Sequence, residues 1–181
     1  MPSFLTFSDL DQVNKSMTFS ESVMRMHAAI ENKDIFLSYS SKDENYLPGV
    51  ITLLENHGGA VYVDEGDSRL PQKPSKETAA ILKRTIQGLK RFVLFVTTNS
   101  KDSSWIPWEL GLGDAYKTLL NVALLPSAER SNDQAWAEQE YLGLYKRIAY
   151  GWIEGESEQC WMVYDHIENT AVKLNKWIRG Y

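Results

Sequence analysis

From Asp34 onward, short apolar runs alternate with longer segments in which apolar residues recur every three or four positions: DIFLSYS, ENYLPGVITLLENHG, AVYVD, SKETAAILKRTIQGLK, RFVLFVTT, WELGLGDAYKTLL and NVALLP. The runs Ile35–Tyr39, Ala60–Val63, Phe92–Val96 and Val122–Leu125 are nearly continuous in apolar character, the pattern of strands covered on both faces. Such strands separated by helices predict four successive parallel strands with crossover helices. Ser75 can cap a helix whose Ala79, Ile81, Leu82, Ile86 and Leu89 share one face; Thr78, not a capping-box glutamate, follows three residues on. Gly88 weakens that helix near its end.

Two parts fall outside this repeat. Residues 1–33 hold two candidate helices, about 7–16 and 20–31, the second opened by Ser20 and carrying Val23, Met24, His27 and Ile30 on one side. After Pro126 the polar SAERSNDQAWAEQ reads as a loop, and AYGWIE and QCWMVYD as strands joined through GES. A final helix is expected over about Ile167–Arg179, burying Val172, Leu174, Trp177 and Ile178. The expected organisation is a helical extension, 1–33, before an α/β domain, 34–181, with its core motifs in 34–126 and a divergent part in 127–181.

Composition narrows the function classes. A chain of 181 residues with 43% hydrophobic content can bury an ordinary core. A net charge of −5 argues against nucleic acid as a partner, since phosphate recognition needs clustered cations. No run of about 18 apolar residues predicts a membrane span. Cys160 is the single cysteine, and the start MPSFLTFSDLDQ lacks the layout of a secretion signal, so a cytoplasmic location is expected. His27, His57 and His166 show no ligand spacing, so no metal is expected.

In an open parallel sheet the loops beyond the carboxyl ends of the strands form the binding crevice. Here they are Ser38-Tyr39-Ser40-Ser41-Lys42-Asp43, then Asp64-Glu65-Gly66-Asp67-Ser68-Arg69-Leu70-Pro71, then NSKDSSWIPWELGLGDAY (Asn99–Tyr116). Pro107 is tolerated only in a first turn, so the last of these opens a helix near Ser104 to Ile106. That puts Glu109 at a helix N-terminus, which favours an ionised carboxylate by roughly 0.3–1 kcal/mol. Trp105, four residues earlier, shares its face, Trp108 is the better core residue, and Asp102, Ser103 or Ser104 supplies the cap. GLGDA falls inside this helix, which argues against a dinucleotide fingerprint and redox chemistry. The alternative is that the tryptophans are core anchors and Glu109 a solvated first-turn acid.

These residues resemble the TIR (Toll/interleukin-1 receptor) domains. FLSYSSKD is similar to their first box, VYVDEGDSRLP stands at their BB loop, and Ser103-x-Trp105-x-x-x-Glu109-Leu110 matches the S-x-W-x-x-x-E-L pattern of their enzymatic members. EQEYLGLYKRI and VYDHIENTAVKLNKWI are similar to the tail of stand-alone bacterial TIR proteins of the Thoeris anti-phage type. The resemblance implies a flavodoxin-like three-layer α/β/α fold with a central parallel sheet. It also implies cleavage of the nicotinamide–ribose bond of NAD, a substrate and not a cofactor, with Glu109 as the catalytic residue. By the same resemblance Tyr39 lines the nicotinamide side and Asp64 is the acidic position opening the BB loop. Ser40 can donate to the pyrophosphate or cap the following turn, and Arg69 can pair with phosphate or stay solvated. Ser103 and Trp105 complete the set.

The expected product is a cyclic ADP-ribose isomer acting as a second messenger. Hydrolysis, conjugate formation and a non-enzymatic TIR–TIR scaffold are the alternatives, and the sequence does not choose among the acceptors. Self-association, a phage-derived trigger and a separate effector that reads the product are the partners the resemblance implies.

Overall fold

The computed structural model describes residues 2–16, 33–64, 67, 69–71, 75–137 and 139–180. After a short strand β1 (Leu5–Thr6) and helix α1 (Phe7–Ser16) come β2 (Ile35–Ser38), α2 (Leu47–Asn56), β3 (Val61–Tyr62), α3 (Lys76–Gly88), β4 (Arg91–Val96), α4 (Ile106–Lys117) and β5 (Val122–Ala128). The chain ends with β6 (Lys146–Gly151), β7 (Cys160–Asp165), β8 (Thr170–Lys173) and α5 (Leu174–Arg179). The strands form one sheet in the order β3-β2-β4-β5-β6-β7-β8, with β1 paired to β5. The pairs from β3 to β6 are parallel, and β6–β7 and β7–β8 are antiparallel.

The four expected strands lie where their apolar runs predict, and every residue of β2, β4 and β5 is buried. Alternation along them divides the core in two. Ile35, Leu37, Val93 and Phe95 pack with Leu10 of α1, with Leu47, Val50 and Leu54 of α2, and with Leu174 and Ile178 of α5. Phe36, Phe92, Leu94 and Val96 face Leu82 and Ile86 of α3 and Ile106 and Leu110 of α4. The result is the expected three-layer α/β/α sandwich. Its parallel core, β3-β2-β4-β5-β6, has the flavodoxin-like order, in which the winding direction reverses between β2 and β4.

Two segments depart from the sequence expectation. The final helix is six residues, Leu174–Arg179; Thr170–Lys173 forms β8, which pairs with β7 and leaves Val172 in a strand. The turn before it is set by Asp165 Oδ1, which accepts from the N–H groups of Ile167 and Glu168, and by Asn169 at φ 53°. Ser127 and Ala128 extend β5 where a loop was expected, because Leu5 and Thr6 pair with them in parallel. The candidate helix 7–16 is α1, anchored by Phe7 stacked on Tyr46 at 4.7 Å; the one over 20–31 lies outside the described residues. Among the described residues no helix is long and apolar enough to cross a membrane.

The two glycines of GLGDA differ in what surrounds them. A Cβ on Gly113 would lie 2.7 Å from the Phe92 ring, which is itself stacked on Phe36, while one on Gly111 would meet nothing within 4 Å. Gly113→Ala is therefore expected to cost about 1–3 kcal/mol by overpacking. Gly111→Ala should raise stability by up to about 1 kcal/mol through helix propensity. Urea unfolding of the two variants checks the opposite signs.

Candidate active site

The segment after β4 folds in two steps. Thr97 caps a 3₁₀ turn over Thr98–Asp102, and Ser103 then turns the chain into α4, its Oγ accepting from the N–H groups of Trp105 and Ile106 at 3.3 Å each. Of the three candidate caps, Ser103 makes these bonds. Pro107 sits in the first turn, where its missing N–H costs nothing. Glu109 completes that turn, its own N–H donating to the Trp105 carbonyl at 2.9 Å.

Glu109 points inward and is 5% exposed. Its Oε2 accepts from the Oγ of Ser38, the last residue of β2, at 2.6 Å. Burial, reinforced by the negative charge of Asp64, pushes its pKa up to about 8, while the Ser38 hydrogen bond acts in the opposite sense. The expectation that a helix N-terminus would keep this group readily ionised is corrected here. Each tenfold change in the equilibrium is about 1.4 kcal/mol, so the displacement from the ordinary carboxylate range outweighs a helix-end contribution of roughly 0.3–1 kcal/mol.

A second buried carboxylate braces the site. Asp43, fully buried, accepts from Thr97 Oγ1 at 2.7 Å and from Asn99 Nδ2 at 2.6 Å, tying the loop after β2 to the loop after β4. An exposed ion pair, Lys42 to Asp102 at 2.6 Å, links the same loops at the surface. Since β2 and β4 flank the reversal of winding, these bonds join the two loops that lie where a fold of this type places its ligands.

The structure brings some of the sequence-derived residues together and separates others. Glu109 and Asp64 are close enough for charge coupling, with Asp64 half-buried just past β3. Trp105 stands 36% exposed immediately before α4, edge-to-face with Trp108 at 5.4 Å, while Trp108 packs on the core. Ser40 is buried and spent locally, its Oγ accepting from the Lys42 N–H as the cap of a 3₁₀ turn. Tyr39 packs against the α2 side of the sheet, the side away from α4.

Arg69 does not face Glu109. Its Nε donates to both oxygens of Asp67, at 2.9 and 3.1 Å, and Nη2 reaches Thr85 of α3. Asp67 also accepts from the Tyr62 hydroxyl at 2.7 Å, and these bonds, led by those from Arg69, hold its carboxyl down at about 2. With Glu77 and Arg84, Arg69 lines a groove of about 630 Å³; another, of about 410 Å³, runs between Leu10, Leu53, Tyr150 and Trp161. Neither includes Glu109.

Ser38, Asp43, Thr97 and Asn99 had no assigned role in the sequence reading. A signal for Ser38 exists: it is the polar residue continuing the Phe36 side of a strand that is otherwise apolar on both faces. Asp43 looks like an ordinary first-turn acid, and only the approach of Thr97, 54 residues later, shows what it binds. Among the described residues no group of three or more His, Cys, Asp or Glu gathers as a metal would need.

Comparison with known proteins adds to this geometry. Residues 35–150 match the family described as TIR domain. A protein of Bacillus cereus (strain MSX-D12), named as a probable 3' cyclic ADP-D-ribose synthase, ThsB', is 38% identical over 149 residues, which cover 81% of this chain and 75% of that protein. A protein of Cytobacillus dafuensis, named for cyclic ADP-D-ribose synthesis (TIR2), is 30% identical over 107 residues, 55% of this chain and 28% of that protein.

Proposed function

The chain belongs to the TIR domain family, and from that premise we propose that it cleaves the nicotinamide–ribose bond of NAD and closes the remaining ADP-ribose into a cyclic isomer. The observation that carries this reading is Glu109, held by Ser38 in the first turn of α4 beside the point where the sheet reverses its winding. The two relatives named for cyclic ADP-D-ribose synthesis support the same product class.

The chemistry suits a single buried carboxylate. Nicotinamide leaves as a neutral molecule, taking the electron pair of the broken bond onto its ring nitrogen, so no acid is needed for its departure. Positive charge gathers on the ribose carbon and ring oxygen, where a fixed anion stabilises the transition state more than the ground state. A ribose hydroxyl of the same molecule then bonds to that carbon and releases a proton, for which a carboxylate of raised pKa is a matched acceptor. The positively charged pyridinium ring of the substrate favours the ionised form of Glu109 once it is bound nearby.

In this reading Glu109 is the catalytic residue and Trp105 and Asp64 border the ribose. Ser103 holds the helix start, and Ser40, by capping the turn after β2, and Tyr39, packed on the α2 side of the sheet, support the loop that borders the site. Arg69 serves by fixing the loop after β3 through Asp67. The enzyme works in a self-associated TIR assembly that responds to a phage-derived signal and supplies its product to a separate effector, as in the Thoeris type it resembles.

Incubation of the full-length protein at high concentration with NAD, followed by mass spectrometry, tests the proposal. Nicotinamide and a product one water lighter than ADP-ribose are expected. Linear ADP-ribose as the sole second product would make the enzyme a hydrolase. No nicotinamide from the assembled protein, with a TIR partner bound, would replace the enzyme with a scaffold.

A further inference from the structure

Ser38 ends β2, is 1% exposed and lies between apolar layers, a setting in which a hydroxyl without a partner is costly. Its partner is not local: Oγ donates to Oε2 of Glu109, 71 residues away in the chain, at 2.6 Å. The bond joins a rigid central strand to the first turn of α4. Backbone pairing of Ser38 with Leu94 of β4 fixes the donor side, and the Ser103 cap fixes the acceptor side.

Resting on the reading of this site as an NAD-cleaving centre, we propose that Ser38 is a positioning residue. Its hydroxyl holds one oxygen of Glu109 against β2, fixes the plane of the carboxylate and directs the second oxygen to the ribose. The charged surroundings are consistent with this. Asp64, from the loop after β3, repels the Glu109 charge, and burial opposes it; Ser38, from β2, offsets both in part. Glu109 is the acidic residue of the α4 first turn. In the neighbouring loops Asp43 is engaged by Thr97 and Asn99, and Lys42 by Asp102.

The test compares wild type with Ser38→Ala, which removes the hydroxyl at almost constant volume, and Ser38→Thr, which keeps it. A hydrogen bond to a charged group sets the scale, and kcat for nicotinamide release is expected to fall roughly 10–100-fold in Ser38→Ala. KM should change little, and the acidic limb of kcat/KM against pH should move to higher pH. Ser38→Thr should recover most of the rate. Titration of the ¹³C-labelled Glu109 carboxyl, read without turnover, should likewise move upward in Ser38→Ala.

If the wild type releases no nicotinamide but the Glu109 titration moves in Ser38→Ala, the bond stands and the proposed reaction fails. If Glu109→Gln is inactive while Ser38→Ala keeps the wild-type rate, pH profile and titration, the reaction stands and the role given to Ser38 is overturned.

Discussion

Glu109→Gln is expected to lower the rate of nicotinamide release by about 10²–10³-fold, the loss typical of removing one preorganised electrostatic group from a water-excluded site, without lowering the thermal midpoint. The amide keeps the shape of the side chain and still accepts from Ser38, so packing survives, but the negative charge opposite the ribose is gone. Stability should even improve near neutral pH. The folded pKa, about 8, lies above that of the unfolded chain, so between roughly pH 4.5 and pH 8 the folded protein binds more protons than the unfolded one. This group therefore subtracts stability progressively as pH rises through that window, and Gln removes the loss. Thermal unfolding from pH 4.5 to pH 8 should show the variant gaining on the wild type with rising pH. The kcat/KM of the wild type, which reports the free enzyme, should carry an acidic limb near 8, and kcat a lower one because the bound pyridinium ring favours the carboxylate. A Gln variant with wild-type turnover would remove Glu109 from the mechanism.

Asp43→Ala is expected to cost about 3 kcal/mol, because two bonds to a charged acceptor are lost and the Thr97 and Asn99 donors are left inside the fold without it. For a chain of this size that lowers the thermal midpoint by roughly 6–12 °C. Turnover should fall as well, since the loops after β2 and β4 set the spacing between Ser38 and Glu109. Lys42→Ala is the control. It cuts an ion pair between the same two loops, but both partners are about half exposed and screened by solvent, so no measurable change in midpoint is expected. Equal midpoints for Asp43→Ala and Lys42→Ala would show that the buried carboxylate does not brace the crevice.

How far the site was legible depended on the distance along the chain over which each constraint acts. Pro107 restricts its own turn, so the start of α4 and the first-turn position of Glu109 follow from a few adjacent residues. The buried strands were equally readable, because cover on both faces leaves an unbroken apolar run. Val172 was not: a short apolar run fits either a helix or a strand, and pairing with Val163 of β7 decided for the strand. The reach of β5 to Ala128 depended on a partner, Leu5–Thr6, from the other end of the chain. For Arg69 the sequence leaves phosphate pairing and solvation open, and the nearer carboxylate of Asp67 takes its guanidinium.

The sequence alone thus determined the layers, the succession of parallel strands and the placing of one carboxylate at a helix start, since periodicity and local steric limits need no knowledge of the rest of the chain. Tertiary structure decided which hydroxyl holds that carboxylate, which acid clamps the crevice and whether Glu109 is readily ionised. Those depend on sheet order and on the exclusion of water, and both arise only when residues 54 to 71 positions apart are brought within hydrogen-bond distance.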